Sequence, residues 1–209
     1  MKTKTNFAFA SVIIAFFMWG LLTSLNDVLI PHLKELFTLD YAQAMLVQFA
    51  FFMAYAIIGI PAAKILHKIG YRWSISLGFL VAGLGCLGFL PAAKYAVYTY
   101  FLASLFVLAA GIVILQVSAN PYISLLGNKK NASARLTFAQ GLNSLGTTLG
   151  PIIGGVFILG MIANYANDAD ISAKAIQLPY LVLALIMFVL CLFFVIVPLP
   201  KLENDVKQG

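Results

Sequence analysis

Asp27 is the only acidic residue inside the long apolar stretches of this chain. An ionised carboxylate in hydrocarbon costs about 2.5–3.5 kcal/mol on insertion scales, so such residues usually face a polar cavity and act there. Trp19, Thr23 and Asn26 precede it at spacings that place all four residues on one side of a helix. Asp27 is therefore predicted to line a polar pathway through a membrane, where it would bind and release a cation. A structural role, as partner of Lys34 or of a helix N-terminus, is the alternative.

Amide side chains follow the same helical spacing in three other apolar stretches. One interhelical hydrogen bond contributes only about 0.6 kcal/mol, and any single amide is more often of this structural kind. Four polar stripes together favour a solute cavity instead. Amides and hydroxyls beside aromatic rings suit a sugar, because its hydroxyls need donors and acceptors and its C–H face packs on a ring. The predicted substrate-binding residues are Trp19, Asn26, Asp27, Gln48, Tyr55, Gln116, Asn120, Gln140 and Asn143.

The composition is that of a membrane protein. Hydrophobic residues make up 62% of the 209 residues and charged residues only 10%, whereas a soluble domain carries about 25% charge. Six apolar runs are long enough to cross about 30 Å of hydrocarbon as helices, and none shows the alternation of a barrel strand. The predicted fold is all-α: one six-helix transmembrane bundle over residues 1–209, with tails at 1–6 and 201–209. The predicted spans are 7–30, 44–65, 74–93, 95–126, 136–163 and 178–197.

Basic residues are concentrated in alternate connecting segments. The net charge of +6 therefore bears on topology, and no basic run is long enough to predict nucleic-acid binding. The positive-inside rule places both termini in the cytoplasm. The basic residues that decide this are Lys2 and Lys4, then Lys64, Lys68 and Arg72, then Lys129, Lys130 and Arg135.

The predicted helices divide into two triplets. The first helix of each triplet carries a polar cluster before a proline, Pro31 in one and Pro121 in the other. Because the first helix runs outward and the fourth inward, the triplets would form an inverted 3+3 repeat, which is typical of secondary carriers. Helices one, two, four and five carry polar stripes, and we expect them to form the inner lining.

Enzyme chemistry and metal binding have little support. Ser144 has no G-x-S-x-G setting, and no nucleophile–base pair is visible. Cys86 and Cys191 lack metal-ligand spacing and are interpreted as small apolar residues. We expect no enzyme activity, no metal and no cofactor beyond a coupling ion, Na⁺ or H⁺.

Four segments carry a family resemblance: "SLNDVLIPHLKELFTL", "LVQFAFFMAYAIIGIPAA", "ILQVSANPYISLLG" and "RLTFAQGLNSLGTTLGPIIGG". They resemble the glucose/galactose permeases of the fucose–galactose–hexose symporter group in the major facilitator superfamily, from about Phe16 to Pro200. The resemblance implies a bacterial inner-membrane protein that couples hexose uptake to a cation. It also implies sugar binding at Gln140 and Asn143 and ion coupling at Asp27.

Two departures from the family pattern qualify this expectation. The fucose–proton branch has a glutamate where this chain has Gln116, which cannot be protonated and leaves the coupling ion open. The family has twelve helices in two bundles, so a second six-helix half, either another copy or a separately encoded bundle, is expected as partner. The alternative is a fragment or membrane scaffold that does not transport.

Overall fold

The computed structural model describes residues 2–36, 38–95, 97–156, 177–197 and 199–200. The described residues form five α-helices and one short 3₁₀ turn, Lys129–Asn131. The helices are α1 (Lys2–Leu36), α2 (Tyr41–Tyr95), α3 (Tyr98–Leu125), α4 (Ala132–Gly154) and α5 (Gln177–Ile196).

Helix α2 folds back on itself at Gly70. A straight helix of its 55 residues would be about 80 Å long. Yet the Tyr98 hydroxyl donates to the carbonyl of Gln43 at 2.6 Å, near the start of α2, and Val97 N–H bonds Ala92 near its end. Gly70 has φ 78° and ψ 171°, a region that only glycine enters readily. The two parts, residues 41–69 (α2a) and 71–95 (α2b), therefore run in opposite directions.

The predicted number of helices differs from the number described. The predicted spans 44–65 and 74–93 belong to the one element α2, because no loop separates them and only Gly70 leaves helical geometry. The six-helix count and the inverted 3+3 repeat therefore remain predictions. Within the described part of the chain, four helices are long and apolar enough to cross a membrane: Thr5–Leu25, α2, α3 and α5.

The helix ends also differ from the predicted spans. Helix α1 extends from Lys2 to Leu36, beyond the predicted 7–30, and it takes in most of the predicted tail 1–6. Helix α3 continues through Pro121 and ends four residues later, at Leu125. Residues 157–163 of the fifth predicted span and the predicted tail 201–209 lie outside the described residues.

Helix α1 packs mainly on α4, in parallel and at very short distance. A Cβ at Gly20 would overlap the Asn143 carbonyl oxygen, and one at Gly146 would overlap the Phe17 carbonyl oxygen. Farther along, a Cβ at Gly150 would lie 2.7 Å from Ser24 Cβ. Glycines at every fourth position remove the side chains that would separate two backbones in a membrane.

Helix α2b packs between α3 and α5. It is antiparallel to α3, since Gly78 approaches Leu115 whereas Gly85 approaches Leu108. Against α5 the contact is aromatic: the rings of Phe89 and Tyr180 stack with centroids 4.2 Å apart. These glycine and ring contacts hold α3 and α5 against different faces of α2b.

Basic residues near the helix ends and in the 3₁₀ turn lie at one end of the bundle. Arg72 donates from Nε to the Phe194 carbonyl at 3.0 Å and also bonds the Val195 carbonyl, so it caps the end of α5. Arg135 caps the end of α3 by donating to the Ile123 carbonyl at 3.1 Å and the Ser124 carbonyl at 2.9 Å. We call this the basic end; its described side chains include Lys64, Lys68, Arg72, Lys129, Lys130 and Arg135.

The opposite end carries Asp40 and Lys94. Asp40 and Gln43 cap the start of α2 reciprocally: Asp40 Oδ1 accepts from Gln43 N at 2.7 Å and Gln43 Oε1 accepts from Asp40 N at 3.1 Å. The asymmetry of charge between the ends is the pattern from which cytoplasmic termini are predicted, and that orientation remains a prediction.

Two glycines of α2 test the importance of close backbone packing. A Cβ at Gly85 would overlap the backbone of Leu108, whereas a Cβ at Gly59 would meet no atom within 4 Å. We expect Gly85→Ala to destabilise the fold by about 1–3 kcal/mol through overpacking, measured as a lower melting temperature in detergent. Gly59→Ala is the matched control and should not lower it. Equal effects of both substitutions would contradict the packing described.

Candidate functional site

Asp27 lies exposed on α1 and meets α2a at Gln48. The Gln48 amide Nε2 is 3.4 Å from Asp27 Oδ1. Among the described side chains, no lysine, arginine or histidine lies close enough to Asp27 for an ion pair, so the alternative of a structural pair with Lys34 finds no support there. The carboxylate is thus held by one neutral donor and keeps most of its capacity to accept further bonds.

Tyr55 and Gln116 form a second polar pair, between α2a and α3. Gln116 Nε2 donates to the Tyr55 hydroxyl oxygen at 2.8 Å. Aromatic rings surround this pair: the Phe51 ring lies 5.7 Å and the Phe52 ring 6.3 Å from that of Tyr55, centroid to centroid. The Tyr55 hydroxyl can still donate one bond, and the Gln116 carbonyl oxygen can still accept.

One face of α2a connects the two pairs. Gln48 and Tyr55 are seven residues apart, which is two turns of a helix and a rise of about 10 Å. Phe52 lies between them on the same face and is 62% exposed. The structure therefore joins α1, α2a and α3 through polar side chains around an exposed aromatic ring.

Asn143 has a structural contact that the sequence did not reveal. Its side-chain Nδ2 donates to the Phe16 carbonyl of α1 at 3.0 Å, and the ring of Phe16 lies 5.5 Å from that of Trp19. Ser24 adds a second bond across the same helix pair, from its hydroxyl to the Thr147 carbonyl at 2.7 Å. Asn143 thus uses one donor to hold α4 on α1, while its carbonyl oxygen can still accept.

Two further predicted site residues, Asn120 and Gln140, have no side-chain hydrogen bond to the described residues. Asn120 Oδ1 is buried and has no hydrogen bond within the described structure. Gln140 is partly buried on α4; its side chain makes no hydrogen bond to the described residues. The side chain of Asn26 lies outside the described residues.

The cavities that the described residues enclose lie away from these polar side chains. One, of about 310 Å³, lies between α1, α4 and α5, with Leu21, Ile153 and Leu183 among its lining. Another, of about 560 Å³, lies between α2b and α5. Both linings are almost entirely apolar and contain none of the polar pairs. The exposed side chains of Asp27 and Phe52 place those pairs on an open face of the described structure.

Chemically, the arrangement offers hydrogen bonds, aromatic surface and one carboxylate. These groups can bind a polar solute and a cation. The helix-capping roles of Arg72 and Arg135 went unrecognised in the sequence. In the sequence, each arginine follows a glycine near the end of a helix. Arg72 follows Gly70, and Arg135 follows Gly127, which has φ 84°. This pattern could have indicated the caps.

Comparisons with known proteins agree on the type of fold. The chain is 49% identical over 202 residues to the glucose/galactose transporter of Brucella abortus biovar 1 (strain 9-941), covering 96% of this chain and 48% of that protein. It is 34% identical over 218 residues to the L-fucose-proton symporter of Escherichia coli, covering 96% of this chain and 50% of that protein. The chain thus spans about half the length of these curated relatives.

A solved structure gives the same result. The crystal structure of the E. coli fucose:proton symporter superimposes with a TM-score of 0.83 at 30% sequence identity, covering 97% of this chain and 52% of that chain. The family model of the Major Facilitator Superfamily matches residues 8–209. This chain therefore belongs to the Major Facilitator Superfamily.

Proposed function

We propose that this chain is the N-terminal half of a hexose–cation symporter, or a half-size unit that works with a second half. The substrate would be a hexose of the glucose or galactose type, taken up with Na⁺ or H⁺ across a bacterial inner membrane, with both termini cytoplasmic. The printed names of its relatives, glucose/galactose transporter and L-fucose-proton symporter, support a sugar and a coupling ion.

The observation that carries this proposal is the environment of the Asp27 carboxylate. Its carboxylate is exposed on α1 and contacts the neutral amide of Gln48. Among the described side chains it has no basic partner, and an unpaired carboxylate at membrane depth is costly and usually marks an ion or substrate pathway. An exchangeable cation at Asp27 would supply the missing countercharge, and its release would be linked to the transport cycle.

The sugar would bind beside the aromatic face of α2a. The Tyr55 hydroxyl and the Gln116 oxygen, joined at 2.8 Å between donor and acceptor, offer a donor and an acceptor to adjacent sugar hydroxyls. Phe52 and Tyr55 offer ring faces on which the C–H face of a hexose packs. Asn120 Oδ1, buried without a partner in the described structure, would accept from another hydroxyl. Trp19, Gln140 and Asn143 would complete the binding surface on α1 and α4.

A second half would cover the open face of this chain. Large apolar side chains are exposed beside the polar ones on both helices concerned: Phe49 at 57% and Ile60 at 70% on α2a, and Phe138 at 56% and Ile152 at 57% on α4. Apolar side chains of this kind can contact lipid or a neighbouring bundle, and the polar pairs beside them favour a bundle, because lipid cannot satisfy their hydrogen bonds. A similar bundle placed there would enclose the polar pairs and turn the open face into a cavity.

Transport itself is tested by reconstitution. The chain alone, and the chain co-expressed with the half of the Brucella abortus relative that it does not match, are placed in liposomes and given radiolabelled glucose or galactose under a Na⁺ or a pH gradient. We expect accumulation above that of empty vesicles with at least one arrangement and one ion. The scaffold alternative, which the half-length of the chain motivates, predicts sugar uptake with neither.

Replacing the carboxylate separates coupling from sugar binding. We expect Asp27→Asn to abolish gradient-driven accumulation, because a neutral amide can neither release a proton nor balance the charge of Na⁺, while sugar exchange at equal concentrations persists. The measurement compares both modes in the same liposomes. Asp40→Asn is the matched control, since that carboxylate caps the start of α2 away from the polar pairs, and it should keep both modes. Undiminished accumulation by Asp27→Asn would count against the proposal.

Two amides on α4 are expected to differ in what they contribute. Asn143→Ala removes the 3.0 Å bond to the Phe16 carbonyl and should destabilise the fold by about 0.6 kcal/mol, or up to about 1.7. Gln140→Ala should leave the melting temperature unchanged, yet weaken hexose binding by about tenfold, the loss of about one hydrogen bond. Thermal unfolding and sugar titration of the same preparations measure both effects. Unaltered sugar affinity in Gln140→Ala would remove that residue from the site.

A further inference from the structure

An apolar groove runs along the outer surface of the bundle between α2b and α5. Its volume is about 560 Å³, within the range of about 300–1,000 Å³ that small-molecule sites occupy. At the bottom of the groove, the Ser76 hydroxyl donates to the Cys191 carbonyl at 3.0 Å and so joins the two helices. The lining consists of Ile69, Trp73, Ser76, Leu77 and Leu80 on the α2 side and Cys191 and Val195 on the α5 side.

The groove begins at the basic end and follows the helix axis inward. Trp73, Leu77 and Leu80 follow one another at helical spacing, so the distance from Trp73 to Leu80 along the axis is about 10 Å. One leaflet of the hydrocarbon layer is about 15 Å thick, half of the whole. The groove therefore fits within the depth of a single leaflet. Trp73, which is 50% exposed, lies at its basic end, and tryptophan is enriched at membrane interfaces.

Arg72 lies at the mouth of this groove. Its guanidinium carbon is 5.5 Å from the centroid of the Trp73 ring, and its side chain bonds the carbonyls of Phe194 and Val195. Those bonds use two of its five N–H donors. The carbonyls at a helix end carry only about half of a unit negative charge, so much of the positive charge of Arg72 is left uncompensated.

The charge around this mouth has one sign within the described structure. Lys64 and Lys68 are exposed on the last turns of α2a, next to Ile69 of the groove. Of the described acidic side chains, Asp40 lies at the start of α2, at the opposite end of the bundle, and Asp27 lies on the half of α1 that is farther from this mouth. An anion at the mouth would therefore meet several cations and no described carboxylate.

We propose that this groove binds one anionic phospholipid. Its phosphate accepts hydrogen bonds from the N–H groups of Arg72 that have no partner among the described residues, and it lies near Lys68. One acyl chain fills the groove along Trp73 and Leu80. Basic pockets between helices at the membrane surface bind such headgroups, and each nearby lysine or arginine strengthens the attraction. This site is separate from the polar pairs on α1, α2a and α3 and does not depend on the proposed function.

The chain contains two tryptophans, which allows a direct test. In a Trp19→Phe background only Trp73 fluoresces, and lipid with brominated acyl chains quenches a tryptophan that it touches. The full chain is placed in phosphatidylcholine vesicles that contain either brominated phosphatidylglycerol or brominated phosphatidylcholine at the same mole fraction. We expect brominated phosphatidylglycerol to quench Trp73 about five times as strongly as brominated phosphatidylcholine. This quenching ratio, which measures the preference for the anionic lipid, should fall to about one at high salt.

Two arginine substitutions serve as a matched pair. Arg72→Gln should reduce the ratio of quenching by the two lipids to about one. Arg135→Gln, which removes the same charge and a similar helix cap at the same end, should leave that ratio unchanged. If Arg72→Gln fails to fold, judged by its circular dichroism, Lys68→Gln replaces it and should lower the preference in the same direction.

Several results would overturn the proposal. Equal quenching by both lipids would show that the groove takes any acyl chain without regard to charge. Absence of quenching by either lipid would show that something else, such as another part of this chain, covers Trp73. A preference that survives both Arg72→Gln and high salt would show that the headgroup is not held here by charge.

Discussion

The backbone contact between α1 and α4 is the constraint on which the rest of the structure depends. In hydrocarbon no water can satisfy a polar group, so helices associate through close packing and bonds between themselves. Gly20 and Gly146 allow the two backbones to touch, and the bond from Asn143 to the Phe16 carbonyl fixes their register. Because the small residues face inward, the other polar residues of both helices are left on the open face.

A second constraint acts at the ends of the helices. The last carbonyls of a helix lack partners within it, and at the membrane surface they need donors from elsewhere. Arg72 supplies them to α5 and Arg135 to α3. Each arginine follows a glycine with positive φ, Gly70 or Gly127, which turns the chain so that the next helix begins beside the end of another. The same residues that give the bundle its charged end therefore also join its helices.

The polar pairs have a different character from these structural contacts. Asp27 with Gln48 and Tyr55 with Gln116 each join two helices, yet each pair leaves donors or acceptors free on an open face. Helix α2a belongs to both pairs, so a movement of this helix relative to α1 would alter the surroundings of the carboxylate and of the tyrosine together. Under the proposed function, this helix would link the ion site to the solute site, as coupled transport requires.

The sequence by itself determined the membrane character, the positions of the apolar helices and the concentration of polar residues on a few of them. Composition and helical spacing are local properties, and a bilayer permits few alternatives to a helix. Spacing also placed Gln48 and Tyr55 on one face of α2a. The tertiary structure decided which polar residues meet: Asn143, predicted as a sugar ligand, donates to Phe16, and Gln116 bonds Tyr55. These pairings depend on which helices are neighbours, and that is set by glycine contacts and arginine caps between residues far apart in the chain.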